Sequence, residues 1–227
     1  MNELIFLLHI ISVVGVTFFA LRFGKSALVA LICLETVMAN LFVLKQMTLF
    51  GLNATCADVF IIGSVLGVNL LQEYFGADFS KKAIKISFFA MFFYLLMSFI
   101  HLSYIPSQHD WAHILFNEIL RFAPRITIAS LFAYFISLKF NASFYERLNE
   151  KFNGKYLVLR NIISIIFTQL IDTIIFVYIG LFGIVGSPVQ VIIVGFTIKV
   201  LITLIASPFI SFSKKYLIKN LDQNDSW

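Results

Sequence analysis

Apolar runs alternate with short polar joints along the whole chain, at about 4–21, 26–44, 54–76, 86–104, 117–138, 158–181 and 188–212. Each approaches the ~20 residues that a helix needs to cross a hydrocarbon layer ~30 Å thick. The pattern predicts an all-α membrane helix bundle of about seven transmembrane helices, one domain over 1–217 followed by a polar tail at 218–227. Met1-Asn2-Glu3 supplies no positive charge before the first run and no small-residue cleavage site follows it, so that run is expected to be a retained helix. In the 143–155 joint, Ser143 and Glu146 have capping-box spacing, and Phe144, Leu148 and Phe152 recur every four residues. That predicts a short separate helix whose stripe of Arg147, Lys151 and Lys155 either lies on the cytoplasmic leaflet or faces water.

The basic residues give the runs a direction. All 17 Lys and Arg except Lys45, Arg121, Arg125 and Lys199 fall in or beside the first, third and fifth joints and the tail. An odd number of spans puts all of these on one side, and positive charge marks the cytoplasm. The expected topology therefore has the N-terminus outside and the C-terminus in the cytoplasm.

Composition sharpens the class. Hydrophobic residues make up 60% of the chain and charged ones only 13%, where a soluble domain carries about 25%. The net charge of +5 sits at the cytoplasmic joints, so it argues for membrane orientation and against nucleic-acid binding. Two cysteines, Cys33 and Cys56, make neither a disulfide framework nor a metal site. Asn141-Ala-Ser143 matches a glycosylation sequon but falls in a joint expected to be cytoplasmic, where it is a chance match.

Polar residues inside the apolar runs are where chemistry is expected, because a charge at mid-membrane costs ~2.5–3.5 kcal/mol on insertion scales. The third run carries Asp58, Asn69, Gln72 and Glu73; the last three share one helix face, and Gly63 and Gly67 offer a flat surface for a neighbouring helix. Glu35 and Asn40 lie in the second run, and Arg125 follows Pro124 near the outer end of the fifth. Asp172 stands near the middle of the sixth with Gln169 on its face, and Lys199 near the middle of the seventh. At matched depth, Asp172 and Lys199 either neutralise each other between two helices or mark a ligand site. His101, His109 and His113 cluster on the outer side, the last two four apart, but no Cys or firmly placed carboxylate is near, so no metal is expected. No GxxxxGK[ST], GxSxG or HExxH sequence occurs, so neither nucleotide hydrolysis nor intramembrane catalysis is expected, and no cofactor is called for.

Several segments in order carry a resemblance: Asn40-Leu-Phe-Val-Leu-Lys-Gln46, Ala57-Asp-Val-Phe-Ile-Ile-Gly63, Asn69-Leu-Leu-Gln-Glu-Tyr-Phe-Gly76, Arg125-Ile-Thr-Ile-Ala-Ser-Leu-Phe-Ala-Tyr134, Gln169-Leu-Ile-Asp-Thr173 and Lys199-Val-Leu-Ile202. Over roughly 28–212 this order and spacing resembles the queuosine precursor transporter family of bacterial membrane proteins, related to vitamin uptake proteins. The resemblance implies a multi-pass inner-membrane importer of a 7-deazaguanine (preQ0, preQ1 or queuine) for tRNA modification, and not an enzyme. It carries over to Arg125, Asp172 and Lys199, with Gln169 alongside; Asn69, Gln72, Glu73 and Asn40 complete the expected substrate-binding set.

The residues suit such a base on their own chemistry. A guanine-like edge presents two N–H donors and a carbonyl; a carboxylate accepts the former and Arg, Lys or Gln donates to the latter. The 27 Phe and 8 Tyr provide stacking faces. The expected partners are a nucleobase and membrane lipid, with no direct nucleic-acid contact; a homo-oligomer or an ATPase module stays open. Two other readings remain: a seven-helix retinal-type photoreceptor using Lys199 for a Schiff base, or the substrate-binding subunit of an ATPase-driven vitamin importer. Against the photoreceptor, Trp111 and Trp227 lie outside the spans.

Overall fold

The computed structural model describes residues 1–153, 155 and 157–201. Helices α1 (Asn2–Leu21) and α2 (Lys25–Phe42) are followed by a hairpin of β1 (Gln46–Leu49) and β2 (Leu52–Thr55). Then come α3 (Asp58–Phe75), α4 (Ala77–Leu102), α5 (His113–Leu120), α6 (Ala123–Lys151) and α7 (Leu157–Phe176). A π-helical turn, Val177–Leu181, continues α7, and α8 is described over Pro188–Leu201. Among the described residues six helical stretches are long and apolar enough to cross a membrane, and Pro188–Leu201 is a shorter apolar helix. The far part of the seventh predicted span and the 218–227 tail, with Lys214, Lys215 and Lys219, lie outside the described residues.

The bundle is apolar outside and polar at its centre, as a lipid solvent demands. Leu4, Leu8 and Ile11 of α1, Phe89, Phe92 and Phe99 of α4, and Ile128, Phe132 and Phe135 of α6 are exposed. Three buried hydroxyls donate to carbonyls of their own helices: Thr17 to Val13, Ser98 to Tyr94 and Thr173 to Gln169. Two apolar clusters hold the ends. Leu21, Leu28, Ile32, Leu66 and Leu70 join α1, α2 and α3 at the end opposite the hairpin. Val43, Ile126, Val177, Leu181 and Val191 close the hairpin end.

Gly63 and Gly67 set the close approach of α1 and α2 to α3. A Cβ at Gly63 would overlap the Glu35 carboxylate and Val13, and one at Gly67 would stand 2.8 Å from Ile32. Glu35 itself is buried, with its Oε2 unpartnered among the described residues.

Three elements depart from the sequence reading. The fifth predicted span is broken: α5 ends at Leu120 and α6 starts anew with Pro124 in its first turn, where proline's missing N–H costs nothing. The helix expected at 143–155 is not a separate element, because α6 runs unbroken through Ser143 to Lys151; a residue inside a helix has no free N–H groups for its hydroxyl to cap. The hairpin was not expected at all. Gln46 pairs with Thr55 and Leu49 with Leu52 around a two-residue turn, in which Phe50 and Gly51 both take positive φ (49° and 79°).

That hairpin lies across the N-terminal end of the bundle and is tied down on two sides. Asn2 donates to the Thr48 carbonyl and the Phe50 amide donates to Glu3. The Asn53 amide donates to Gln190 of α8, and Gln46 accepts from the Gly186 amide.

Candidate functional site

Two cavities lie in series along the bundle axis. The first, about 220 Å³, sits below the hairpin, where Asn40, Val43, Thr55, Asp58, Val191 and Gly195 contribute to its wall. The second, about 390 Å³, continues toward the other end past Asn69, Asn141 and Gln169. Both are lined by Thr36, Ser64, Phe88, Tyr134, Asp172 and Lys199, so one polar tract runs through the centre of the bundle. A third crevice, between α2, α4 and α5, is almost wholly apolar, with Lys45 and His101 at its edge.

At the junction of the two cavities α7 and α8 meet through charge. Lys199 Nζ donates to Asp172 Oδ2 at 2.7 Å and to Thr173 Oγ1 at 3.1 Å. Their side chains are 13% and 25% exposed, so the pair is largely withdrawn from bulk water yet opens onto the tract. Such a pair holds two helices together, and both of its side chains line the cavities. Of the two possibilities that matched depth left open, the geometry shows the first: Asp172 and Lys199 neutralise each other between α7 and α8, in the wall of both cavities.

Around the pair stand groups suited to a flat, polar molecule. Tyr134 of α6 and Phe88 of α4 make an edge-on contact, ring centres 4.7 Å apart, and both line the two cavities. Asn40 is fixed from two sides: it donates to the Thr36 carbonyl and accepts from Ser130, which joins α2 to α6 beside the hairpin-side cavity. Gln169 and Asn69 line the second cavity. Of the expected set, then, Asp172, Lys199, Gln169, Asn69 and Asn40 share one tract.

Three expected residues stand elsewhere. Gln72 and Glu73 are exposed in the last turn of α3 and line neither cavity, although Asn69 on the same face does. Arg125 also lines neither. Its Nε donates to the Ile179 carbonyl at 2.8 Å and its Nη2 to the Phe182 carbonyl at 2.7 Å. The helix ends with the π turn at Leu181, which leaves those carbonyls without helical donors, and the guanidinium fork supplies them.

Other residues belong to the tract that the sequence reading did not place there. Asp58 opens α3 beneath the hairpin, is 7% exposed and lines the first cavity. Its polarity was visible, but its position at the edge of an apolar run hid its depth. Asn141 accepts from Ser164 at 2.6 Å and Thr168 at 3.1 Å, so it bridges α6 to α7 at the second cavity. The hydroxyl spacing Ser164–Thr168 on one helix face was the available signal. Gly195 keeps the wall thin: a Cβ there would stand 3.3 Å from Asp58 and 3.8 Å from Thr173.

No solved structure matches the chain. A protein of Bacillus subtilis (strain 168) named "Probable queuosine precursor transporter" is 31% identical over 214 residues, 92% of each chain. The model of a family described as "Putative vitamin uptake transporter" matches residues 55–213, a stretch that holds Asp58, the Asp172–Lys199 pair and both aromatic walls. Taken with its apolar helices, this chain is a multi-pass protein of the bacterial membrane and belongs to the putative vitamin uptake transporter family.

Proposed function

We propose that the chain imports a queuosine precursor, a 7-deazaguanine, across the bacterial inner membrane for tRNA modification. The observation that carries this is the Asp172–Lys199 pair set beside aromatic walls in a central tract. Asp172 accepts from the N–H edge of the base, Lys199 donates to its carbonyl, and the Phe88–Tyr134 pair packs against one side of the ring. Gln169, Asn69 and Asn40 complete the polar lining. An analogue lacking the matching donors would leave these groups unpaired, which costs ~1–3 kcal/mol for each buried polar group. A site near mid-membrane between helices is where transporters commonly place it.

In this reading seven helices cross the membrane, with the N-terminus and hairpin outside. Arg22, Lys81, Lys82, Lys85, Arg147 and Lys151 are exposed at the other end, which supports placing that end in the cytoplasm. The name carried by the Bacillus subtilis relative supports the choice of cargo. The test is whether the gene restores queuosine in the tRNA of cells that lack precursor uptake, with each precursor supplied separately. Failure with all of them, at normal membrane levels of the protein, would contradict the reading.

A further inference from the structure

Asp58 has no part in reading the guanine edge, yet it is a 93%-buried acid in the wall of the hairpin-side cavity. The Thr55 hydroxyl donates to its Oδ2 at 3.4 Å, well beyond the ~2.7–2.8 Å usual for such bonds. Among the described residues it forms no ion pair. The cation whose field reaches it is Lys199, already bonded to Asp172 and Thr173. The cavity thus sets two acids, Asp58 and Asp172, against one ammonium. Gly195 lets α8 pack close beside Asp58 Oδ1, where a Cβ would stand at 3.3 Å, and both residues line the cavity.

A buried carboxylate is costly unless it is paired. An electrically neutral cargo leaves Asp58 as it is; a cargo with a positive arm supplies the missing partner. We infer that Asp58 is the counter-ion for a protonated amine on the cargo's side arm. The site then prefers a 7-deazaguanine bearing an aminomethyl-type cation over one bearing a neutral nitrile. This rests on the cargo reading above and adds which member of that class the cavity selects. The ring would occupy the space beside Phe88, Tyr134 and Asp172, with its arm directed to the first turn of α3.

The test is the affinity of the purified full chain for 7-aminomethyl-7-deazaguanine and for 7-cyano-7-deazaguanine, by isothermal titration near neutral pH. The wild type should bind the amine at least about tenfold tighter, a decade being ~1.4 kcal/mol. Asp58→Asn should lower that ratio by about tenfold or more, and Asp58→Glu should largely keep it. Equal affinities in the wild type, or a ratio that Asp58→Asn leaves unchanged, would overturn the inference. The wild-type comparison decides even where a variant fails to fold. Binding of neither base by the wild type would overturn the cargo reading and this inference with it, a result distinct from binding both equally.

Discussion

Lys199 of α8 and Asp172 of α7 meet at 2.7 Å in the wall common to both cavities. Twenty-seven residues apart in sequence, they are the point where bundle packing and the candidate site coincide. Asp58 makes the arrangement lopsided: loss of the ammonium alone leaves two buried carboxylates facing one space, whereas loss of Asp172 alone leaves one acid and one base. Lys199→Met is therefore expected to be the more damaging single change, in both membrane level and uptake. Parallel measurement of the two variants checks the order.

Arg125 should behave as a structural residue. Arg125→Gln removes both donors from the carbonyls that close α7, and should cost about 1 kcal/mol after allowance for its exposure. A lower melting temperature in detergent is expected, with base affinity within about twofold of wild type in the folded fraction. A tenfold loss of affinity at unchanged melting temperature would put Arg125 back among the residues that touch cargo.

The glycines of α1 and α3 should separate by what stands opposite them. Gly63→Ala drives a methyl group into Glu35 and Val13 and should destabilise by about 1–3 kcal/mol. Gly15→Ala meets nothing within 4 Å and should be neutral or slightly stabilising. Equal melting temperatures for the two would mean that α2 and α3 do not approach as closely as described.

Topology can be read with a membrane-impermeant maleimide. Phe50 at the hairpin turn and Ser143 on α6 are exposed and lie toward opposite ends of the bundle. In a chain with Cys33 and Cys56 replaced, a cysteine at 50 should label in intact cells and one at 143 only after permeabilisation. The reverse pattern would invert the proposed orientation. In the unmodified protein Cys56 should react slowly at neutral pH, because burial pushes its thiol above the usual range and leaves little thiolate.

Much of the bundle was legible in the sequence because lipid imposes one rule on every span, and apolar length reports it directly. The Asp172–Lys199 contact was legible for the same reason: two opposite charges at equal depth have few other partners. What escaped depends on local geometry that hydropathy averages away. In the hairpin, Gln46-Met47-Thr48-Leu49 alternates polar and apolar before Phe50-Gly51, a strand signal masked by the apolar runs on either side. Arg125 was placed with the ligand because nothing in the sequence announces a π turn whose carbonyls need a donor 54 residues away. Ser143 and Glu146 match a capping box, yet the helix before them does not stop, so the motif has no end to cap.

Whether Asp172 and Lys199 bind cargo as well as each other is decided by a double-mutant cycle on uptake. Labelled 7-deazaguanine uptake, normalised to membrane protein level, is measured for Asp172→Asn, Lys199→Met and the double variant. Each single variant should lose at least about tenfold, and the double should be no better than the worse single, because both contacts to the base are gone. Recovery of transport in the double variant would exclude a cargo contact: the two residues would then be a neutralising pair and nothing more.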